Sequence, residues 1–245
     1  LPKHLKGYDV ILFQEAFSSD RTGMLQQLAA EYPYQTHVPK IPYNGINVFD
    51  SGVLVVSRYP IVATADFIYP DCSGTDCFAD KGIIYAEVIK GGKAYHVTST
   101  HTASFDTDEA RALRQVQFQQ IRALVDAQNP ASFEAVMMGG DFNVNKLLWP
   151  QDYAQMLANL NATDPVSTGY TASTFDPRIN ILSGAAGSGG ETVEYLDYVV
   201  YSNTHRQPIQ SRNDVRIPRT AVAPLFHTRD LSDHFPVMGE FIFAP

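Results

Sequence analysis

The stretch MMGGDFNVNK, residues 137–146, decides how this chain is read. A strand entering through "EAVMM" meets two glycines and then an acid and two amides, so it ends in polar side chains where a core would be expected to close. Asp and Asn at a strand end are ordinary turn and capping residues, because their short side chains hydrogen-bond the nearby backbone. Alone, the segment is a turn. It acquires a second meaning because four other apolar runs begin or end the same way. Glu15 follows "VILFQ", His101 follows "HVTST", Asp197 lies in "EYLDYVV", and Asp233 and His234 precede "FPVMGEF". Strands packed in one sheet bring their ends to one edge, which would gather two imidazoles, several carboxylates and an amide in one pocket.

The rest of the chain supplies the scaffold for such an edge. With 44% hydrophobic and 18% charged residues over 245 positions, it has the makeup of a globular protein with a sizeable core. Strands are expected over 8–14, 51–60, 81–90, 93–102, 194–202 and 236–243, besides the one that ends in "GGDFN". Gly91-Gly92 suits the two-residue turn of a hairpin. Helices are expected over 20–31, 107–128 and 147–159. The second is the clearest, with Leu113, Val116, Ile121 and Leu124 as its apolar stripe and Thr107, Asp108 and Glu109 at its start. Residues 183–190, "SGAAGSGG", read as a mobile loop. About eight strands with few helices, no fixed-period repeat and no dividing linker point to an α+β layered sandwich in one domain, residues 1–245.

Charge and cysteines narrow the function classes. A net charge of −8 argues against a general binder of nucleic-acid backbones, though metal ions can supply positive charge at a nuclease site. No window reaches the length of a membrane span, and the first residues do not resemble a signal peptide. Cys72 and Cys77 flank a Ser-Gly-Thr-Asp loop that a disulfide could close. The alternatives are two free thiols or half of a metal site, for which no second Cys or His cluster is present. A disulfide would favour an oxidising compartment.

The gathered residues suit phosphodiester hydrolysis, which needs an activated water, a proton for the leaving oxygen and cationic stabilisation of the phosphoryl charge. A His oriented by an Asp suits the base. Glu15 among oxygen-rich neighbours suits Mg²⁺, a hard cation, and the lack of thiolates in the set disfavours zinc.

In order, "FQE", "STHT", "GGDFN", "EYLDYVV" and "SDHFPV" resemble the signature of the endonuclease/exonuclease/phosphatase superfamily, and they span residues 13 to 237. The resemblance implies the DNase I-like fold, a four-layer α/β/β/α sandwich of two mostly antiparallel sheets. "EYPYQTHV", "DSGVLVVSRYPI", "DCFADKGIIYAEV", "MMGGDFNVNK" and "EYLDYVVYS" look most like the bacterial neutral sphingomyelinases, secreted Mg²⁺-dependent phospholipases C, in which Mn²⁺ or Co²⁺ can stand in for Mg²⁺. The branch implies cleavage of sphingomyelin to ceramide and phosphocholine at a membrane surface, by a monomer and without nucleic acid. A nuclease or soluble-ester phosphatase of the same fold, or a catalytically silent binding module, is the alternative.

Carried over residue by residue, the resemblance makes Glu15 the principal metal ligand and His234 the general base. Asp197 would orient His234, and Asp233 would add acidic support beside it, at the metal as well. Asp141 and Asn143 would hold the scissile phosphate and a neighbouring catalytic group, and His101 would bind the phosphate or assist the leaving oxygen. Asp106 and Arg114 match supporting positions. Asp80 and Lys81, in the branch-specific "DKG", fit a substrate contact (Lys81) or a solvated turn equally well. The family pattern opens with a strand carrying a metal-site Asn. Leu1 matches the segment after that strand, so the sequence is expected to omit it. The family's membrane-entering hairpin corresponds to residues 213–230, which hold Leu225 and Phe226 but no tryptophan, so either weaker insertion or ordinary loop packing is expected. Tyr43, Ile46 and Phe49 form another candidate apolar rim.

Overall fold

Residues 1–186, 192–221 and 228–244 are described by the structure, a computed structural model. In chain order the elements are β1 (Val10–Phe13), α1 (Ser18–Leu28), β2 (Tyr34–Gln35), β3 (Leu54–Ser57), β4 (Ile61–Ile68), β5 (Gly82–Lys90) and β6 (Lys93–His101). There follow α2 (Asp108–Gln128), β7 (Ala135–Asp141), α3 (Pro150–Leu160), β8 (Ala162–Thr163), β9 (Val166–Gly169), α4 (Ile181–Ala186), β10 (Asp197–Ser202), β11 (Gln210–Val215) and β12 (Val237–Ile242).

One sheet has six strands in the order β4-β5-β6-β7-β10-β8. Its β6–β7 pair is parallel, since α2 carries the chain across between them, and its other pairs are antiparallel. The second sheet layer consists of two three-stranded sheets, β1-β3-β2 and β12-β11-β9. Between the layers, Val53 and Val55 pack with Ile84, Ala86, Val88 and Val97, and Val10 and Leu12 join them. The outer face of the large sheet is covered by α2 and α3, whose Phe118, Ile121, Val125 and Met156 pack with Met138, Phe142 and Val144. On the other side, Met24, Leu25 and Leu28 of α1 rest on Phe13, Leu54 and Val56. The layers therefore run α/β/β/α, as the resemblance implies.

Local chemistry explains both the agreements and the differences. β3 is buried at every position because it has the large sheet on one face and α1 on the other, hence its unbroken apolar run. The β5–β6 hairpin turns at Gly91 and Gly92, with φ of 60° and 75°, the positive values that a type I′ turn demands. Thr107 caps α2 by accepting from the Ala110 N–H at 3.2 Å.

The buried face of α2 is not quite the expected stripe. Ile121 is buried, but Val116 is exposed, and Arg114 and Gln117 face inward. These two polar residues bond the backbone after β6, Gln117 through Ala103 N–H at 2.9 Å, so the helix is rotated to serve that loop. The segment 183–190 is not wholly a loop. Its first four residues complete α4, and 187–190 lie outside the described residues, as do Leu225 and Phe226. β2, β4, β8, β9 and β11 have no counterpart among the expected strands. β4 is a half-exposed edge strand with a bulge between Ile61 and Ala63, and β11 buries only Asn213 and Val215, so neither shows an apolar run.

Candidate active site

Three adjacent strands of the large sheet end level. Asp141 is the register partner of His101 on one side and of Asp197 on the other. The closeness of β6 and β7 here depends on Gly140, at φ 142°, where a Cβ would sit 2.1 Å from the Thr100 carbonyl oxygen. Past the strand, Asn143 takes φ 49° and its N–H donates to Asp141 Oδ1 at 3.0 Å, while its side-chain NH₂ donates to Thr102 O at 3.1 Å. The polar end of "GGDFN" is thus both a local turn and one wall of a pocket.

His234 enters from the loop before β12. Its Nδ1 lies 2.8 Å from Asp197 Oδ2, and its Nε2 lies 4.0 Å from Asp141 Oδ2. A neighbouring segment holds both partners. The Thr174 hydroxyl accepts from Leu196 and Asp197 N–H at 2.9 and 3.1 Å, Asn180 donates to the Ser232 and Asp233 carbonyls at 2.9 and 3.0 Å, and the Phe175 ring meets the imidazole edge-on at 5.2 Å. Burial alone would lower the His234 pKa. Asp197, Asp141 and Asp233 outweigh that and hold it well above the ordinary range. Burial, with Asp197 beside it, raises the Asp141 carboxyl.

His101 is the opposite case. Fully enclosed, with Lys81 and His234 beside it, it is held well below the usual imidazole range and stays neutral. Its Nε2 is 3.0 Å from Lys81 Nζ and 3.5 Å from Asp141 Oδ2. With the ammonium donating to Nε2, the ring proton rests on Nδ1, which lies 4.0 Å from Glu15 Oε1.

Lys81 and Asp80 are buried, so they do not form a solvated turn. Lys81 also reaches Thr102 O at 2.8 Å, the Ser104 hydroxyl, and Asp76 Oδ1 at 3.0 Å. Its donors are engaged by protein groups. Asp80 faces away and accepts from Ile41 N–H at 3.1 Å and Asn47 Nδ2 at 2.8 Å, fixing the loop over residues 41–47. Asp76 escaped the sequence reading. It sits on a short 3₁₀ turn closed by the Cys72–Cys77 disulfide and binds both Lys81 and the Ser104 N–H, at 2.7 Å. An acid inside a Cys-flanked loop just before "DKG" was the available signal.

Glu15 follows β1 at φ 54°, an unusual conformation for a non-glycine residue, and its carboxylate is exposed. Gly52 lies beneath it, donating no side chain where a Cβ would come within 3.0 Å of both Glu15 Cα and the Phe17 ring. Desolvation at the pocket edge raises the Glu15 pKa, and the negative charge of Asp233 adds to the rise. Asp141, Asp197 and His234 bring possible ligand atoms within 4.8 Å of one another. Among the described residues Glu15 and Asp233 do not join that group, but they offer hard oxygen donors, and the like charge of Asp233 that adds to the rise of the Glu15 carboxyl is one that a divalent cation would offset.

Around this centre, Arg114 is buried and donates to the Ala103 and Phe105 carbonyls at 3.0 and 2.5 Å and to Asp106 Oδ1 at 3.1 Å, holding the loop that follows His101. Asp106 also accepts from the Trp149 indole N–H at 3.2 Å. Asn145, the last amide of the opening segment, accepts from Leu147 N–H at 3.1 Å and so begins the turn that leads to α3.

Residues 1–234 match the Endonuclease/Exonuclease/phosphatase family. The chain is 32% identical over 257 residues to the sphingomyelinase C of Listeria ivanovii, covering 96% of this chain and 76% of that protein. It is also 32% identical over 255 residues to a phospholipase C of Staphylococcus aureus, with the same coverage. Among solved structures, a Staphylococcus aureus beta toxin variant with bound magnesium ions superposes with a TM-score of 0.87 at 32% identity, covering 98% of this chain and 88% of that one. The sphingomyelinase C of Streptomyces griseocarneus superposes with a TM-score of 0.84 at 33% identity, covering 96% and 87%.

Proposed function

The chain belongs to the endonuclease/exonuclease/phosphatase family, in the branch of the bacterial sphingomyelinases C, and from that membership we propose that it is a magnesium-dependent phospholipase C that cleaves sphingomyelin to ceramide and phosphocholine. The observation that carries the chemistry is the His234–Asp197 pair at 2.8 Å, facing Asp141 across the level ends of β6, β7 and β10.

In this reading His234 Nε2 takes the proton of the attacking water, and Asp197 fixes the ring through Nδ1 and stabilises the imidazolium that forms. The water oxygen bonds to phosphorus and the bond to the ceramide oxygen breaks. Asp141, whose carboxyl holds a proton more readily than usual, has the acidity suited to give one to the departing oxygen. Neutral His101 donates from Nδ1 to a phosphate oxygen, a role its depressed pKa favours over proton transfer. Asn143 offers an amide on the same wall, and Lys81 acts through His101 by fixing its tautomer.

Glu15 and Asp233 would hold the magnesium ion, whose charge would neutralise the developing phosphoryl charge. The substrate lies in a membrane, and Tyr43, Ile46 and Phe49 are exposed apolar side chains suited to meeting that surface, with Phe49 lining the same cleft as Glu15. Among the described residues, no helix is long and apolar enough to cross a membrane. Secretion is supported by the disulfide, which persists in oxidising compartments.

Phosphocholine release from sphingomyelin dispersions, with Mg²⁺ and then with EDTA, tests this reading beside a plasmid-nicking control. Mg²⁺-dependent release without nicking is expected. Nicking without release would move the chain to a nuclease role.

A further inference from the structure

The β7–β10 ladder ends at the Asp141–Asp197 pair, and Phe142 N–H donates to Leu196 O at 3.0 Å as the two chains part. Residues 142–146 lead away from Asp141 and carry Asn143, while residues 194–196 lead into Asp197. Outside the ladder, side chains hold these segments together. Asn145 Oδ1 accepts from Tyr195 N–H at 3.3 Å. The Tyr198 hydroxyl lies 2.6 Å from Val144 O and 2.7 Å from Tyr195 O, so its one proton is shared between carbonyls of both segments. Lys146 Nζ sits over the Tyr195 ring, 3.6 Å from its centre. We propose that Lys146 and Tyr198 are positioning residues, which hold the turn after Asn143 against the approach to Asp197 and so set where Asp197 meets His234.

Both residues are themselves fixed. Tyr198 is 1% exposed and stacks on Phe142, with centroids 5.7 Å apart and planes inclined at 26°, so its hydroxyl has one place to go. Lys146 Nζ also lies 5.3 and 5.6 Å from the ring centres of Tyr198 and Tyr153, and 3.5 Å from Asp164 Oδ2. Asp164, between β8 and β9, accepts from the Tyr153 hydroxyl at 2.8 Å and from Asn213 Nδ2 at 2.9 Å, and Asn213 Nδ2 donates to Val199 O at 3.0 Å. The ammonium is thereby tied to α3, β10 and β11.

The charge is what calls for a role beyond packing. Burial lowers the Lys146 pKa, and Asp164 opposes that fall and favours the cation. Replacing such a buried pair by apolar groups is often neutral for stability. What an ammonium adds is direction, since it is drawn to the face of Tyr195 and to one carboxylate oxygen. Tyr195 stands two residues before Asp197, whose N–H is held from the other side by the Thr174 hydroxyl. Neither Lys146 nor Tyr198 lines the cleft that holds Glu15, Lys81 and His101, so both act through the groups they place.

The inference rests on the phospholipase reading for the reaction it serves, and one arm of its test needs no turnover. Lys146→Met keeps the stem and removes the charge, and Tyr198→Phe removes only the hydroxyl. On soluble p-nitrophenylphosphocholine at saturating Mg²⁺, each should lower kcat by about ten- to a hundredfold and leave KM within about twofold, as misplaced reacting groups do. Lys146→Arg, whose guanidinium stacks on aromatic faces and pairs with carboxylates, should restore most of kcat. In proton NMR spectra at fixed pH, the downfield signal of His234 Nδ1–H bonded to Asp197 should broaden or move upfield in the two damaging variants and return in Lys146→Arg. Variants that lose stability in urea yet keep both kcat and that signal would overturn the positioning role, as would a change confined to KM. A signal altered in the variants of a protein whose wild type hydrolyses no choline phosphoester would uphold the positioning and defeat the phospholipase reading instead.

Discussion

Asp197 Oδ2 lies 2.8 Å from Nδ1 of His234, although 37 residues separate them in the chain. The contact exists because Asp197 opens β10 at the level where β7 ends, and Asn180 and Thr174 pin the two sides of the pair. Asp197 both selects the tautomer with Nε2 free and helps to hold the imidazole pKa up. Asp197→Asn is expected to lower kcat on the order of 10³–10⁴ through the wrong tautomer. A base must be deprotonated to work, so a lower His234 pKa moves the acidic limb of the pH–rate profile to lower pH. An acidic limb that stays in place would remove Asp197 from this role.

Lys81 and Asp76 form an ion pair at 3.0 Å with each side chain only 9% exposed. Lys81→Met leaves the carboxylate buried and unpaired, a loss of about 3–5 kcal/mol for such pairs. Urea denaturation should show it as a lower midpoint. Adding Asp76→Asn should recover part of the stability without recovering hydrolysis, since His101 would still lack the donor on Nε2. Full recovery of activity in the double variant would make Lys81 a structural ion only.

Gly52 holds φ 63° directly under Glu15 and Phe17. Gly52→Ala places a methyl group 3.0 Å from Glu15 Cα in a backbone conformation that alanine disfavours, for an expected loss of stability of about 1–2 kcal/mol. The displaced carboxylate should raise the Mg²⁺ concentration for half-maximal activity, as Glu15→Gln should more strongly. An unchanged metal titration in both variants would exclude Glu15 as a ligand.

The gathering of polar residues at one sheet edge was legible in the sequence because they are short words at the ends of apolar strands. "GGDFN" needs Gly140 for the approach of β6, and "STH" and "LDY" fall level with it by register. What escaped was whatever lacks periodicity. β4 is an edge strand with a bulge, β11 buries an amide, and Asp76 acts from a loop. The inward face of α2 was misjudged at Val116 because Arg114 and Gln117, polar by type, are buried to satisfy the loop after His101. Sequence pattern registers apolar burial, and the groups that position this site are buried polar ones.

Asp176 carries a prediction about acid stability. Hydrogen bonds from Arg178 lead in depressing its carboxyl to about 2, and the Tyr170 hydroxyl donates to it at 2.7 Å. A depressed carboxylate contributes stability that is present above its unfolded pKa, near 3.8, and is lost as pH falls through about 2. Asp176→Asn should therefore flatten the fall in thermal midpoint between those two values. Because the same segment carries Thr174 and Asn180, the variant should also loosen the Asp197–His234 pair and lower kcat at neutral pH. A midpoint profile superimposable on the wild type would show that the Asp176 contacts contribute no acid stability.

The apolar rim bears on where the substrate is met. Tyr43 and Ile46 are 70% and 53% exposed, yet their loop is fixed at both ends by Asp80, which holds Ile41 N–H and the Asn47 side chain. A fixed loop loses little freedom on contact, so burial in lipid would count almost fully, at roughly 1.5–3 kcal/mol for a large side chain. Half-burial of both residues makes the expected loss for Tyr43→Ser with Ile46→Ser about tenfold or more in partition to sphingomyelin vesicles, read by sedimentation at fixed Mg²⁺. Neither residue lines the cleft that holds Glu15, Lys81 and His101. Hydrolysis of soluble p-nitrophenylphosphocholine should therefore persist, which separates a surface defect from a catalytic one. If partition is unchanged while vesicle hydrolysis is normal, the membrane is met by another face of the protein.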